Sequence, residues 1–120
     1  MPLHRAHESS AHARGKEDLG RLLSRRNFLV LYEHKYSDVV AFRPSANGIW
    51  IVCGEHDQRV YTAPANVRRG FRNGCHSMVI LVPDEVVRAA VRRRLQWEFP
   101  RSIYTRIGIL TYESCHRQLA

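Results

Sequence analysis

The chain has 120 residues, enough for one domain and too few for two. A hydrophobic content of 44% with 25% charged residues excludes wholesale disorder, and no apolar run approaches the roughly 18–20 residues that span a bilayer. The net charge of +8 is uneven: residues 61–120 hold ten basic and four acidic residues, against nine and seven in residues 1–60. That surplus suits a polyanionic partner, nucleic acid before any other. The opening MPLHRAHESSAHARGKED lacks the apolar centre of a secretory signal, and three cysteines without framework spacing fit a reducing cytoplasm better than a disulfide scaffold.

Residues 1–8 are polar and expected to fray. From Ser10 to Arg25, Ala11, Leu19, Leu22 and Leu23 recur at helical spacing, and the closing Arg25 and Arg26 suit a helix C-terminus. Phe28 to Tyr32 reads as a buried strand that can run on to Tyr36, and Ser37 to Phe42 as a second. Pro44-Ser45-Ala46-Asn47-Gly48 is a turn, and Ile49 to Cys53 starts a third strand running toward Glu55. Thr62-Ala63-Pro64 opens a helix whose packing face is Val67, Gly70 and Phe71, with Gly74 as its closing residue. Ser77 to Val82 is a fourth strand stopped by Pro83. Asp84-Glu85 then starts a helix with Val87, Val91 and Leu95 as its stripe and Pro100 beyond its end. Ile107 to Tyr112 is a fifth strand.

The predicted order is α-β-β-β-α-β-α-β, a single α/β domain with its core over about residues 10–115. Continuous apolar strands predict a mixed central sheet with helices on both faces. The second and third strands pair as an antiparallel hairpin, and the next two, each fed by a helix, lie parallel.

The hairpin has a chemical consequence. With the turn centred between Ala46 and Asn47, Asp38 faces Glu55; with the centre one residue on, between Asn47 and Gly48, Asp38 faces Asp57. Glu55 and Asp57 share a strand face, so either register gathers three carboxylates at one end of the hairpin. Such a cluster repels itself unless a cation compensates, and a hard divalent ion takes one or two carboxylates plus phosphate oxygens. The plainer alternative pairs these acids with Arg59, Arg43 or Lys35 at exposed strand ends.

A helix, a strand, a hairpin bearing Asp38 in Ser37–Phe42 and Glu55 in Ile51–Asp57, then a helix and a further strand, resembles the core of the PD-(D/E)XK restriction-endonuclease-like superfamily. The stretch from Asn66-Val67-Arg68-Arg69 to Pro83-Asp84 is similar to the helix and strand that come after the motif in such nucleases. The resemblance implies a restriction-endonuclease-like core and metal-dependent hydrolysis of phosphodiester bonds. It makes Asp38 and Glu55 the ligands of Mg²⁺ or Mn²⁺, with Glu17 as an additional acid. One position departs from the pattern: Asp57 stands where the family usually has Lys, as an added ligand or polariser. Lys35 or Lys16 then supplies the displaced cation, with Gln58 or His56 as other substitutes, although alternation turns His56 to the opposite face. A catalytically inactive nucleic-acid-binding or assembly module of the same fold is the alternative.

The remaining chemistry is thinner. Cys53-x-x-His56, Cys75-His76 and Cys115-His116 do not space as a zinc site, because adjacent strand residues point to opposite faces. Arg68, Arg69 and Arg72 follow the acidic hairpin and are expected to contact nucleic acid, DNA rather than RNA. Arg88, Arg92, Arg93 and Arg94 read as a solvated helix face that pairs with Glu85 and Glu98, and Trp50 and Trp97 as core or interface residues. A cytoplasmic homodimer without membrane attachment is expected.

Overall fold

The computed structural model describes residues 9–32, 37–57 and 59–120. The expectations for residues 1–8, for a first strand continuing to Tyr36, and for Lys35 and Gln58 lie outside the described residues. Helix α1 spans Ser10–Arg25, and the Ser9 hydroxyl caps it by accepting from the His12 N–H at 3.0 Å. It stops where Asn27 turns to φ 67, a left-handed conformation that Asn tolerates. The Asn27 and Phe28 N–H groups then donate to the carbonyls of Ser24 and Leu23, which would otherwise be left unpaired at the helix end. Strands β1 (Leu29–Tyr32), β2 (Val39–Ser45) and β3 (Gly48–His56) come next.

A 3₁₀ turn at Val60–Thr62 leads into α2 (Ala63–Arg72). Gly74, at φ +98, closes α2 in the same way that Asn27 closes α1: Gly74 N–H donates to Phe71 and Cys75 N–H to Gly70. Strand β4 is Ser77–Val82 and α3 is Glu85–Glu98, capped by the Asp84 carboxylate on the Val87 N–H. A short helix α4 (Arg101–Tyr104), strand β5 (Ile107–Thr111) and helix α5 (Tyr112–Leu119) complete the chain.

The sheet order is β1-β2-β3-β4-β5. β1, β2 and β3 are antiparallel neighbours, and β4 and β5 are added parallel to β3. The strands alternate their side chains between two cores. Val39, Ala41 and Val52 pack with Leu19, Leu22, Leu23 and Cys115 under α1 and α5. Val40, Cys53, Ile80 and Ile109 pack with Ala63, Val67, Val91 and Leu95 under α2 and α3. Both faces are therefore covered. Burying each Leu or Val in these layers stabilises the fold by about 1.5–3 kcal/mol.

Several expectations are corrected. The element order gains α4 and α5. Tyr112 starts a helix instead of ending a strand, because the Thr111 hydroxyl accepts from Ser114 N–H as an N-cap. β1 is not buried: among the described residues it pairs with β2 alone, and Leu29 is 68% and Tyr32 48% exposed. Of the core-or-interface reading for the two Trp residues, the core half is overturned: Trp97 is 87% exposed, and Trp50 stacks on His76 at the outer end of β3. Cys53 and Cys75 are joined as a disulfide, their Cα atoms 6.1 Å apart, where unbridged thiols were expected. Cys75 lies two residues before β4, whose parallel pairing with β3 sets Met78 beside Cys53. Among the described residues, no helix is long and apolar enough to cross a membrane.

Candidate functional site

The hairpin register decides between the two carboxylate pairings. Val39 pairs with Gly54 and Ser45 with Gly48, which sets Asp38 opposite Glu55. The Asp38 N–H donates to Glu55 Oε2 at 3.3 Å, and the His56 N–H donates to Asp38 Oδ2 at 2.9 Å. Asp57 prolongs β3 by donating its N–H to the Leu81 carbonyl at 2.9 Å. Asp38, Glu55 and Asp57 thus meet at one end of the sheet. They line an open cleft of about 360 Å³ together with His12, His56, Arg59, Thr62, Asn66 and Arg69.

Glu55 and Asp57 are only 3% and 4% exposed. Burial, and then the charge of Asp38, pushes the Glu55 carboxyl up to about 8, although Arg69 acts in the other direction. Burial also raises Asp57, to about 6, while hydrogen bonds from Asn66 and Thr62 hold it back. Asp57 Oδ1 accepts from Asn66 Nδ2 at 2.7 Å and from the Thr62 hydroxyl at 3.3 Å. Asp57 Oδ2 is buried and has no hydrogen-bond partner among the described residues. A buried carboxylate oxygen left in this state is costly, and it is satisfied by a cation or a proton.

On the α1 side a row of ring groups reaches Asp38. His12 Nε2 lies 3.3 Å from Asp38 Oδ1, and His12 Nδ1 lies 3.0 Å from His56 Nδ1. His56 Nε2 meets the Tyr112 hydroxyl. A carboxylate only accepts, so His12 carries its proton on Nε2 when it bonds Asp38. With a neutral His12 ring, its Nδ1 accepts from His56, and His56 Nε2 accepts from Tyr112. The arrangement orients Asp38 from behind. Burial, and then His12, lowers the His56 pKa. Gly15 allows the close approach of α1: a Cβ there would lie 2.6 Å from His56 Cγ.

Only some of the expected residues reach the cleft. Asp38, Glu55 and Asp57 are brought together, and Arg69 joins them from α2 with Nη2 3.6 Å from Glu55 Oε1. Arg68 is not on the cleft: it pairs with Glu98 at 2.9 Å and lies over the Phe99 ring, so it ties α2 to α3. Arg72 is exposed at the end of α2 and does not line the cleft either. On α3, Arg88 pairs with Glu85 and Arg94 with Glu98. Glu17 is exposed on α1, where its charge adds to partial burial, the larger cause, in raising the Tyr32 pKa, and it is not among the cleft-lining residues. Lys16 is buried on α1 one turn after His12, and Lys35 lies outside the described residues. His56 does turn toward α1, away from the Glu55 and Asp57 side chains.

Three cleft residues escaped the sequence reading, His12, Thr62 and Asn66, while Arg59 lines the cleft as one of the cations that the plainer alternative set against these acids. Thr62 looked like a helix cap. Its hydroxyl instead serves Asp57 and the Arg59 carbonyl. The spacing of Asn66 and Arg69, three residues apart on one helix, was the available signal.

Oxygen donors of this kind suit a hard divalent cation. Among the described residues, no group of three His, Cys, Asp or Glu side chains is placed to hold a metal ion. Mg²⁺ does not need one, since it commonly keeps several waters and takes one or two carboxylates plus substrate oxygens. Asp57 Oδ2, buried without a hydrogen-bond partner among the described residues, is an oxygen that such an ion would satisfy. No protein-family model, curated protein or solved structure matches this chain.

Proposed function

We propose that this chain is a metal-dependent phosphodiesterase acting on nucleic acid, built on a restriction-endonuclease-like core. The observation that carries the reading is the union of Asp38, Glu55 and Asp57 in one cleft of a protein with net charge +8. The element placement also supports it: an acid precedes β2, a second lies near the end of β3, and β4 and β5 continue the sheet in parallel. Asp38 and Glu55 would hold Mg²⁺ or Mn²⁺, with Asp57 Oδ2 as a further donor. Such an ion, when bound, would supply polarisation of a phosphoryl oxygen and a lowered pKa for an attacking water.

The chain's own residues do the rest. His12 and the His56 N–H fix the Asp38 carboxylate in place. Arg69 places a permanent positive charge at the cleft beside Glu55. The basic surface draws the strand in without reading its sequence. DNA is the proposed substrate, and a homodimer would present one cleft to each strand of a duplex.

The test is cleavage of supercoiled plasmid, single-stranded DNA and RNA with Mg²⁺ or Mn²⁺, by the wild type and by Glu55→Ala in parallel. The expected result is wild-type cleavage that disappears in EDTA and falls at least about 100-fold in Glu55→Ala. Equal cleavage by both proteins overturns the site. Binding without turnover favours the inactive module of the same fold, the reading suggested by Asp57 standing in the usual place of Lys.

A further inference from the structure

We propose that Arg69 is the phosphate-binding side chain of the cleft, and that Asn66, anchored on Asp57, is the residue that positions it. This deepens the function proposed above and rests on it for the identity of the ligand, a phosphodiester of a nucleic-acid strand.

Three contacts form one line across the mouth of the cleft. The Arg69 guanidinium donates from Nη2 to Asn66 Oδ1 at 2.7 Å. The Asn66 amide donates from Nδ2 to Asp57 Oδ1 at 2.7 Å. The Thr62 hydroxyl donates to the same Asp57 oxygen at 3.3 Å. An Asn side chain has one acceptor oxygen and one donor nitrogen, and here each has a partner. Its orientation is thereby settled: the oxygen must face Arg69 and the nitrogen must face Asp57. Asp57 is buried and fixed by β3, so the line begins on rigid sheet and ends on a half-exposed guanidinium.

That order matters for ligand binding. Arg carries rotamer freedom that a ligand would otherwise have to freeze. Asn66 and Glu55 both lie on Nη2 of the guanidinium, and a planar, permanently charged group of this kind is suited to phosphate oxygens. Arg68, one residue earlier, is turned to Glu98 and Phe99 and cannot serve the same cleft. Asp57 thus divides its two oxygens: Oδ1 anchors Asn66, and Oδ2 is buried with no hydrogen-bond partner among the described residues.

The experiment measures binding of a short labelled DNA duplex, and of the matching single strand, by fluorescence anisotropy in EDTA between about 50 and about 200 mM salt. Arg69→Ala should weaken binding about tenfold and reduce the slope of log affinity against log salt by about one. Arg69→Lys should restore the slope but only part of the affinity, because a point charge replaces a fork. Asn66→Ala should weaken binding several-fold with the slope retained. The double variant should bind no more weakly than Arg69→Ala alone, which a merely structural role of Asn66 would not produce. Arg117→Ala, on α5, serves as the control and should stay within about twofold.

Wild-type affinity and slope in Arg69→Ala would overturn the proposal. Losses from Asn66→Ala and Arg69→Ala that simply multiply would overturn the positioning role. A wild type that binds but does not cleave overturns the nuclease reading alone. A wild type that cleaves while Arg69→Ala binds unchanged overturns this one alone.

Discussion

Asp38 and Glu55 are held face to face across the β2–β3 hairpin, with the Asp38 N–H donating to Glu55 Oε2 at 3.3 Å. The contact ties one acid's backbone to the other's side chain, so the two cannot move apart without breaking the ladder end. It also buries Glu55 at a distance from water that a free carboxylate would not choose.

Stability should depend on pH through these acids. The folded Glu55 pKa is raised to about 8, and that of Asp57 to about 6. Both are above their unfolded values, so the folded state binds more protons than the unfolded state between about pH 4 and pH 8. Stability therefore falls as pH rises through that window, and levels off once both groups are ionised in both states. His56 acts in the opposite sense at the acid end, because its lowered pKa keeps it neutral in the fold. Thermal melts without divalent ions should show a midpoint that drops toward pH 8. Glu55→Gln should flatten the drop, and Mg²⁺ or Mn²⁺ should reverse much of it, because ion binding favours the ionised carboxylates.

Gly15 should resist substitution despite its place in a helix. Ala at this position would favour helix α1 by about 1 kcal/mol. Its Cβ would also lie 2.6 Å from His56 Cγ, so the ring must shift away from His12 and Tyr112. Overpacking of this kind costs about 1–3 kcal/mol. Gly15→Ala should lower the melting midpoint and reduce any metal-dependent activity through Asp38. Gly108→Ala, where nothing lies within 4 Å of the added carbon, should do neither. Equal midpoints for the two variants would show that α1 yields freely.

The Cys53–Cys75 disulfide spans 22 positions and links β3 to the start of β4. A bridge of this span stabilises by about 3 kcal/mol on the chain-entropy account. Reductant should lower the wild-type melting midpoint and leave that of a Cys53→Ala/Cys75→Ala variant unchanged. The buried Cys115 belongs to the opposite core and should not contribute. A wild-type midpoint indifferent to reductant would show that packing alone holds these strands.

Much of the frame was legible in the residues themselves. Strand β4 has the bounds Ser77–Val82 read from its apolar run, and Gly74 stands where the end of α2 needs a left-handed residue. The hairpin turn narrowed the carboxylate pairing to two registers, and the structure adopts the one that sets Asp38 against Glu55. These features depend on neighbours in the chain, through periodicity, capping and turn chemistry. Other features depend on which layer packs against which, and local pattern carries no such information. That Arg69 enters the cleft while Arg68 turns to Glu98 comes from the rotation of α2 against the sheet and α3. That His12 reaches Asp38 comes from the crossing of α1 over the strand ends, where Gly15 permits contact with His56. The sequence by itself determined most of the strands and helices and the acids they carry. Only the tertiary structure decided which basic and ring groups meet those acids, because such contacts join residues far apart in the chain and are set by the packing of whole elements.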